Sequence, residues 1–147
     1  IAMLRDWLET ELADGARAML DVGPPELAVG TSKTFRSLAR LTGAAPSAAG
    51  PRVKRVLTAD GLRQLIAFIS RMTTEDRAEL EGVSAERAPQ IVAGALVAEA
   101  SMRALSLESV QICPWALREG IILRRLDSEA DGTALVASAG RPGGESS

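Results

Sequence analysis

The stretch from Pro24 to Leu41 constrains the fold more than any other. Pro24 and Pro25 stop the helix before them, because a proline offers no N–H and clashes with the preceding turn. Glu26-Leu27-Ala28-Val29 is then a short apolar run of strand type. Gly30, Thr31 and Ser32 follow, and Phe35, Leu38, Ala39 and Leu41 recur at helical spacing. The order is strand, tight turn, helix. That step belongs to an α/β fold, in which ligands sit beyond the carboxyl ends of strands, where helices begin.

The flanks fit the same class. Met3, Leu4, Trp7, Leu8, Leu12 and Ala16 predict an amphipathic helix ending near Asp21-Val22-Gly23. Residues Gly43 to Pro51 are small and rich in Pro and Gly, and predict a loop. Thr58 caps a helix whose apolar face is Leu62, Leu65, Ile66 and Ile69. Thr73-Thr74-Glu75-Asp76 starts a short helix that Gly82 closes. Ser84-Ala85-Glu86-Arg87 is expected to open the longest helix, running to about Leu105. Its Ala and Gly content suits close contact with a neighbour. Ser109 to Cys113 alternates like a strand, and Pro114 opens a last helix from Trp115 to about Leu126. The polar tail 127–147 has the composition of a disordered segment.

Composition narrows the chemistry. With 147 residues the chain holds one domain with a core, not two. Hydrophobic residues reach 46% but aromatics only 3%, so Ala, Leu, Val and Ile must build that core. There is no histidine, which removes the commonest general base and metal ligand. The net charge of −2 gives no overall field to attract nucleic acid. No apolar run approaches the ~20 residues of a membrane helix. A single cysteine, Cys113, fits a reducing cytoplasm and reads as a small hydrophobe before a proline. Ile1 enters a helical pattern at once, which reads as a fragment or one half of a divided protein; a processed end fits equally.

The turn at Gly30 is the best site in the sequence. Glycine admits close backbone approach. The first amides of the next helix lack internal partners and carry partial positive charge, which favours an anion. The hydroxyls of Thr31, Ser32 and Thr34 can donate to phosphate oxygens, and Lys33 adds a full charge. Simple helix capping by Thr31 or Ser32 explains the same residues. The Walker spacing is missing. Arg87 and Arg118 each offer a planar donor fork for phosphate; a surface pair of Arg87 with Glu81 or Glu86, and a solvated Arg118-Glu119 face, are the plainer readings. Asp60, Glu75 and Asp76 read as first-turn acids that complement helix dipoles.

Three stretches taken together resemble the exopolyphosphatase and guanosine-pentaphosphatase family. They are Ala28-Val29-Gly30-Thr31-Ser32-Lys33-Thr34-Phe35-Arg36-Ser37-Leu38-Ala39, the segment from Met72-Thr73-Thr74-Glu75 to Glu86-Arg87-Ala88, and Ala116-Leu117-Arg118-Glu119-Gly120-Ile121. The resemblance covers roughly Leu4 to Leu126. It implies an actin-like, ribonuclease H-like phosphotransferase lobe, with residues 1–126 as the later part of the second lobe and 127–147 as a tail. It implies removal of terminal phosphate from polyphosphate, or of the 5′-phosphate from guanosine pentaphosphate, with Mg²⁺ and a carboxylate acting on water. The family's catalytic glutamate and its other phosphate loops have no counterpart here, so no catalytic residue carries over. Gly30, Thr31 and Ser32 match a family turn in which glycine often stands where Lys33 does; Arg87 and Arg118 match recurrent arginines. The implied partners are the substrate and the absent N-terminal half, with room for a homodimer. Two other readings share the residues: a non-catalytic interaction module, and a lobe of an actin-like sugar kinase that would bind ATP at the Gly30 turn.

Overall fold

The structure is a computed structural model, and it describes residues 1–115, 120–122 and 124–127. Residues Ile1–Pro114 form one compact unit, and the chain from Trp115 belongs to a second. In the second unit, residues 120–122 and 124–127 are helical. The Arg118 position and the tail beyond residue 127 lie outside the described residues.

The first unit runs α1 (Ala2–Leu20), β1 (Val29–Gly30), α2 (Lys33–Leu41), β2 (Val56–Thr58), α3 (Ala59–Ile69), α4 (Thr74–Ala78), α5 (Ile91–Ala104) and β3 (Ser109–Ile112). A single helical turn at Ser47–Ala49 interrupts the loop between α2 and β2. Helix-rich α/β architecture with a small sheet is what the sequence predicts. The sheet order is β1-β3-β2. β1 is parallel to β3, with Gly30 opposite Ile112. β2 is antiparallel to β3, with Leu57 opposite Val110.

Helix α5 is the axis of the core. Ile91, Ala95, Leu96, Ala98, Ala100 and Met102 are all buried, which places apolar surface on more than one side of the helix. α1, α2 and α3 pack around it. Small residues permit the approach: a Cβ built on Gly94 would lie 2.8 Å from Thr34 Cγ2. α1 is held by Leu8 and Ala16 and by two ion pairs, Arg5–Glu99 at 3.0 Å and Arg103–Glu9 at 2.8 Å. Leu38, Leu57, Leu62, Ile69, Leu96 and Met102 are the largest fully buried side chains. Each would cost about 2–5 kcal/mol to truncate to alanine.

Three sequence expectations need correction. The first strand is Val29–Gly30, not 26–29, because only that end reaches β3. The helix expected from Ser84 starts at Ile91. Residues 85–90 are turns, with the Arg87 and Ala88 amides both donating to the Ser84 carbonyl. Pro89 explains the break: it brings no N–H, and it disfavours helical backbone at Ala88. α1, with 19 residues, is therefore the longest helix in the first unit. The third miss is β2 itself, which ends on the residue that caps α3.

Candidate anion site at the start of helix α2

The parallel register puts the carboxyl ends of β1 and β3 at the same edge of the sheet. The Cys113 amide donates to the Gly30 carbonyl at 3.0 Å. Arg36, in the first turn of α2, donates through Nη1 to the Pro114 carbonyl at 3.3 Å. The carboxyl ends of β1 and β3 are thus tied together through Cys113 and Pro114.

Gly30 is buried, but its backbone is not left-handed. Its smallness answers another need. A Cβ there would come 3.0 Å from Phe35 Cγ and 3.1 Å from Phe35 Cβ and Cδ1. The Phe35 ring, one turn into α2, fills the space that a side chain would occupy. The turn is thereby held close to its own helix, and the space beside Gly30 is not open to a ligand.

Ser32 is the N-cap, with extended backbone (φ −72°, ψ 155°). Its Oγ accepts from the Phe35 amide at 3.2 Å, and its carbonyl accepts from the Arg36 amide at 3.2 Å. The amides of Lys33 and Thr34 have no backbone partner among the described residues. Thr31, Ser32 and Lys33 are exposed. Thr34 is half-buried, with its methyl directed at Gly94 of α5. Thr34 therefore serves packing in α2, while Thr31 and Ser32 carry the hydroxyls at the surface.

The charge of this helix start differs from that of the other two hydroxyl-capped helices; α1 and α5 likewise lack a first-turn acid. α2 has no acid in its first turn; it has Lys33 and Arg36. α3 has Asp60 there, and α4 has Glu75 and Asp76. Cations at a helix N-terminus oppose the partial positive charge of the free amides by roughly 0.3–1 kcal/mol each. An anion seated on the Lys33 and Thr34 amides reverses the sign of that interaction.

Arg87 stands on a separate segment. It is half-buried, and its guanidinium makes no hydrogen bond or ion pair with another described residue. The pairing with Glu81 does not form, because Arg40 of α2 takes that carboxylate at 2.6 Å. Ser37 Oγ donates to the Gly82 carbonyl at 2.9 Å, so the 81–82 turn rests on α2. Gly82 sits at φ +89°, a conformation that favours glycine. No hydrogen bond joins Arg87 to the Gly30 turn.

Other arginines are committed to backbone. Arg55 donates to the carbonyls of Ala45, Val53, Pro46 and Gly50 at 2.6–3.0 Å. Arg77 donates to Ile69 and Met72 at 2.9 and 2.7 Å, closing the end of α3. Among the described residues no group of three or more His, Cys, Asp or Glu side chains could hold a metal ion. Cys113 is half-buried and unpaired.

The pattern of the Ppx/GppA phosphatase family matches residues 1–129. The chain belongs to that family. It is 80% identical over 138 residues to Exopolyphosphatase 1 of Mycobacterium tuberculosis, covering 94% of this chain and 40% of that protein. It is 78% identical over 141 residues to Exopolyphosphatase 1 of Mycobacterium leprae, covering 96% and 42%. The chain thus spans about two fifths of these relatives. The fold matches the Aquifex aeolicus Ppx/GppA family member with a TM-score of 0.72 at 22% identity, covering 87% of this chain and 40% of that one. An exopolyphosphatase from Cytophaga hutchinsonii matches with a TM-score of 0.72 at 19% identity, covering 86% and 41%. No helix among the described residues is long and apolar enough to cross a membrane.

Proposed function

We infer that this chain is part of an exopolyphosphatase and contributes one wall of the phosphate-binding cleft. The 80% identity to a protein named Exopolyphosphatase 1 carries the reading. It also favours inorganic polyphosphate over guanosine pentaphosphate as substrate. The Lys33 and Thr34 amides take phosphate oxygens in this reading, with the Thr31 and Ser32 hydroxyls and the Lys33 ammonium around them. Arg87 and Arg118 are the further phosphate-binding residues proposed. The uncommitted guanidinium of Arg87 supports its part.

The carboxylate that acts on water lies outside this chain. The described residues hold neither a histidine base nor a carboxylate cluster. What these residues do is bind and orient a phosphate chain, which lowers the barrier by positioning without a proton transfer of their own. The same proposal treats residues 1–126 as the later part of an actin-like second lobe, and places the protein in the cytoplasm on its single cysteine. The test has two arms. Polyphosphate hydrolysis is measured for this chain alone and with the unmatched remainder of the M. tuberculosis relative supplied. Activity is expected only in the second arm; robust hydrolysis by the chain alone overturns the assignment of catalytic groups.

A further inference from the structure

The chain uses its two kinds of cation unevenly. Of 17 Lys and Arg residues only two are lysines, Lys33 and Lys54. The arginines carry the structural bonds. Arg5, Arg40, Arg63 and Arg103 pair with carboxylates, and Arg55 and Arg77 donate to backbone carbonyls. Both lysines are exposed, and neither makes a hydrogen bond or an ion pair with another described residue.

That division has a chemical consequence. A guanidinium stays protonated and does not attack acyl groups. A primary amine gives up its proton, attacks an activated acyl carbon and becomes a neutral amide. The charges that hold the fold together are therefore beyond the reach of acylation. At the start of α2 the amine that can be acylated is Lys33, while Arg36 keeps its charge and its bond to the Pro114 carbonyl. Lys33 is the first residue of the helix. Its charge opposes the free amides there, so removing that charge does not loosen the helix. The same charge attracts a phosphate seated on those amides, so removing it weakens the hold. One covalent change thus acts on folding and on phosphate binding in opposite directions. Lys54 offers an internal reference: it lines a separate hollow with Glu26, Val56 and Gln111.

We propose that Lys33 is an acylation site and that its acylation turns down phosphate binding at the start of α2. This rests on the reading that the turn holds phosphate. The donor class is an acyl phosphate, an activated acyl group that carries the anion this turn is read to bind. Lys33 Nζ, as the free amine, attacks the carbonyl carbon. The N–C bond forms, the C–O bond to phosphorus breaks, inorganic phosphate leaves with the electron pair, and the proton lost from nitrogen passes to water.

The experiment treats the chain with acetyl phosphate, locates acetyl groups by mass spectrometry, and titrates short-chain polyphosphate before and after. Acetylation of Lys33 should weaken binding by about threefold or more at low salt, and added salt should narrow the difference. Circular dichroism should show a melting temperature no lower than before. The Lys33→Arg variant keeps a cation but has no amine there, so treatment should no longer change its affinity. The Lys54→Arg variant should lose affinity on treatment as the wild type does. Bound polyphosphate should also slow acetylation of Lys33 and leave that of Lys54 unchanged. Absence of modification at Lys33 overturns the proposal, as does a Lys33→Arg variant that stays sensitive, or a loss of binding that comes with unfolding. Binding that is equal before and after acetylation of Lys33 removes this inference alone. Failure of the untreated chain to bind polyphosphate removes the reading of the site, and this inference with it.

Discussion

Helices α2 and α3 begin alike and are charged oppositely. Each starts directly beyond a strand, and each is capped by a hydroxyl: Ser32 Oγ takes the Phe35 amide at 3.2 Å, and Thr58 Oγ1 takes the Gly61 amide at 3.1 Å. Because β2 runs antiparallel to β3, the two starts lie at opposite edges of the sheet. At α3 the free amides face Asp60, which also pairs with Arg63. At α2 they share the first turn with Lys33 and Arg36. The cap therefore does not distinguish a structural helix start from a ligand-binding one. The charge of the first turn differs: α3 supplies its own anion, whereas α2 has none in that turn, which is why the anion site is proposed there.

Four sets of substitutions would break or sharpen this contrast. The largest effect should come from Leu38→Ala and Leu62→Ala, one on each helix and both fully buried. Each should lower unfolding free energy in urea by about 2–5 kcal/mol; a much smaller effect at Leu38 would mean that α2 is not anchored as described. Gly30→Ala should cost about 1–3 kcal/mol, because the new methyl meets the Phe35 ring. Its effect should shrink in a Gly30→Ala, Phe35→Leu double variant, which a thermodynamic cycle would read. Ser32→Ala and Thr58→Ala should each cost about 1 kcal/mol by losing the cap. Only the first should also weaken polyphosphate binding in a titration. The smallest effect is a reversal of sign. Lys33→Glu should stabilise the ligand-free chain by a few tenths to about 1 kcal/mol, and Asp60→Lys should destabilise it by a similar amount. Lys33→Glu should nevertheless bind polyphosphate less well, and added salt should compress both charge effects.

Much of the frame was legible in the sequence because it is written locally. Thr58 and Thr73 announce their helices through hydroxyl caps, and Thr73 with Asp76 forms a reciprocal capping box. The alternation Ser109 to Ile112 became the central strand of the sheet. The small residues of α5 permit close packing, as their composition suggests. What escaped depended on distant partners. Arg55 and Arg77 look like surface cations in one dimension, yet both close loops by donating to carbonyls. Arg40 takes the Glu81 carboxylate that Arg87 would otherwise be expected to pair with. Pro89 falls inside the helix expected from Ser84, and the helix starts only after it, at Ile91. The role of Gly30 was half-read: smallness is required, but by Phe35 and not by an approaching ligand.

The site was legible to the same degree. The run Gly30-Thr31-Ser32-Lys33 names the turn, but not which donors are free. The structure separates them: the Phe35 and Arg36 amides are used by Ser32, and those of Lys33 and Thr34 are not. Thr34, grouped with the phosphate-facing hydroxyls on sequence, is turned into the α5 contact. The Lys33 position remains the most discriminating, because its charge is unfavourable for the helix alone and favourable for an anion held there.

The central claim is that α2, and not α3, is the phosphate-binding helix start. Titration of the chain with short-chain polyphosphate, followed by amide chemical shifts, tests it most directly. The account predicts saturable shifts at Lys33 and Thr34, weakened by salt, with the amides of Asp60 and Gly61 unmoved. Equal shifts at both helix starts, or shifts at α3 alone, would contradict it.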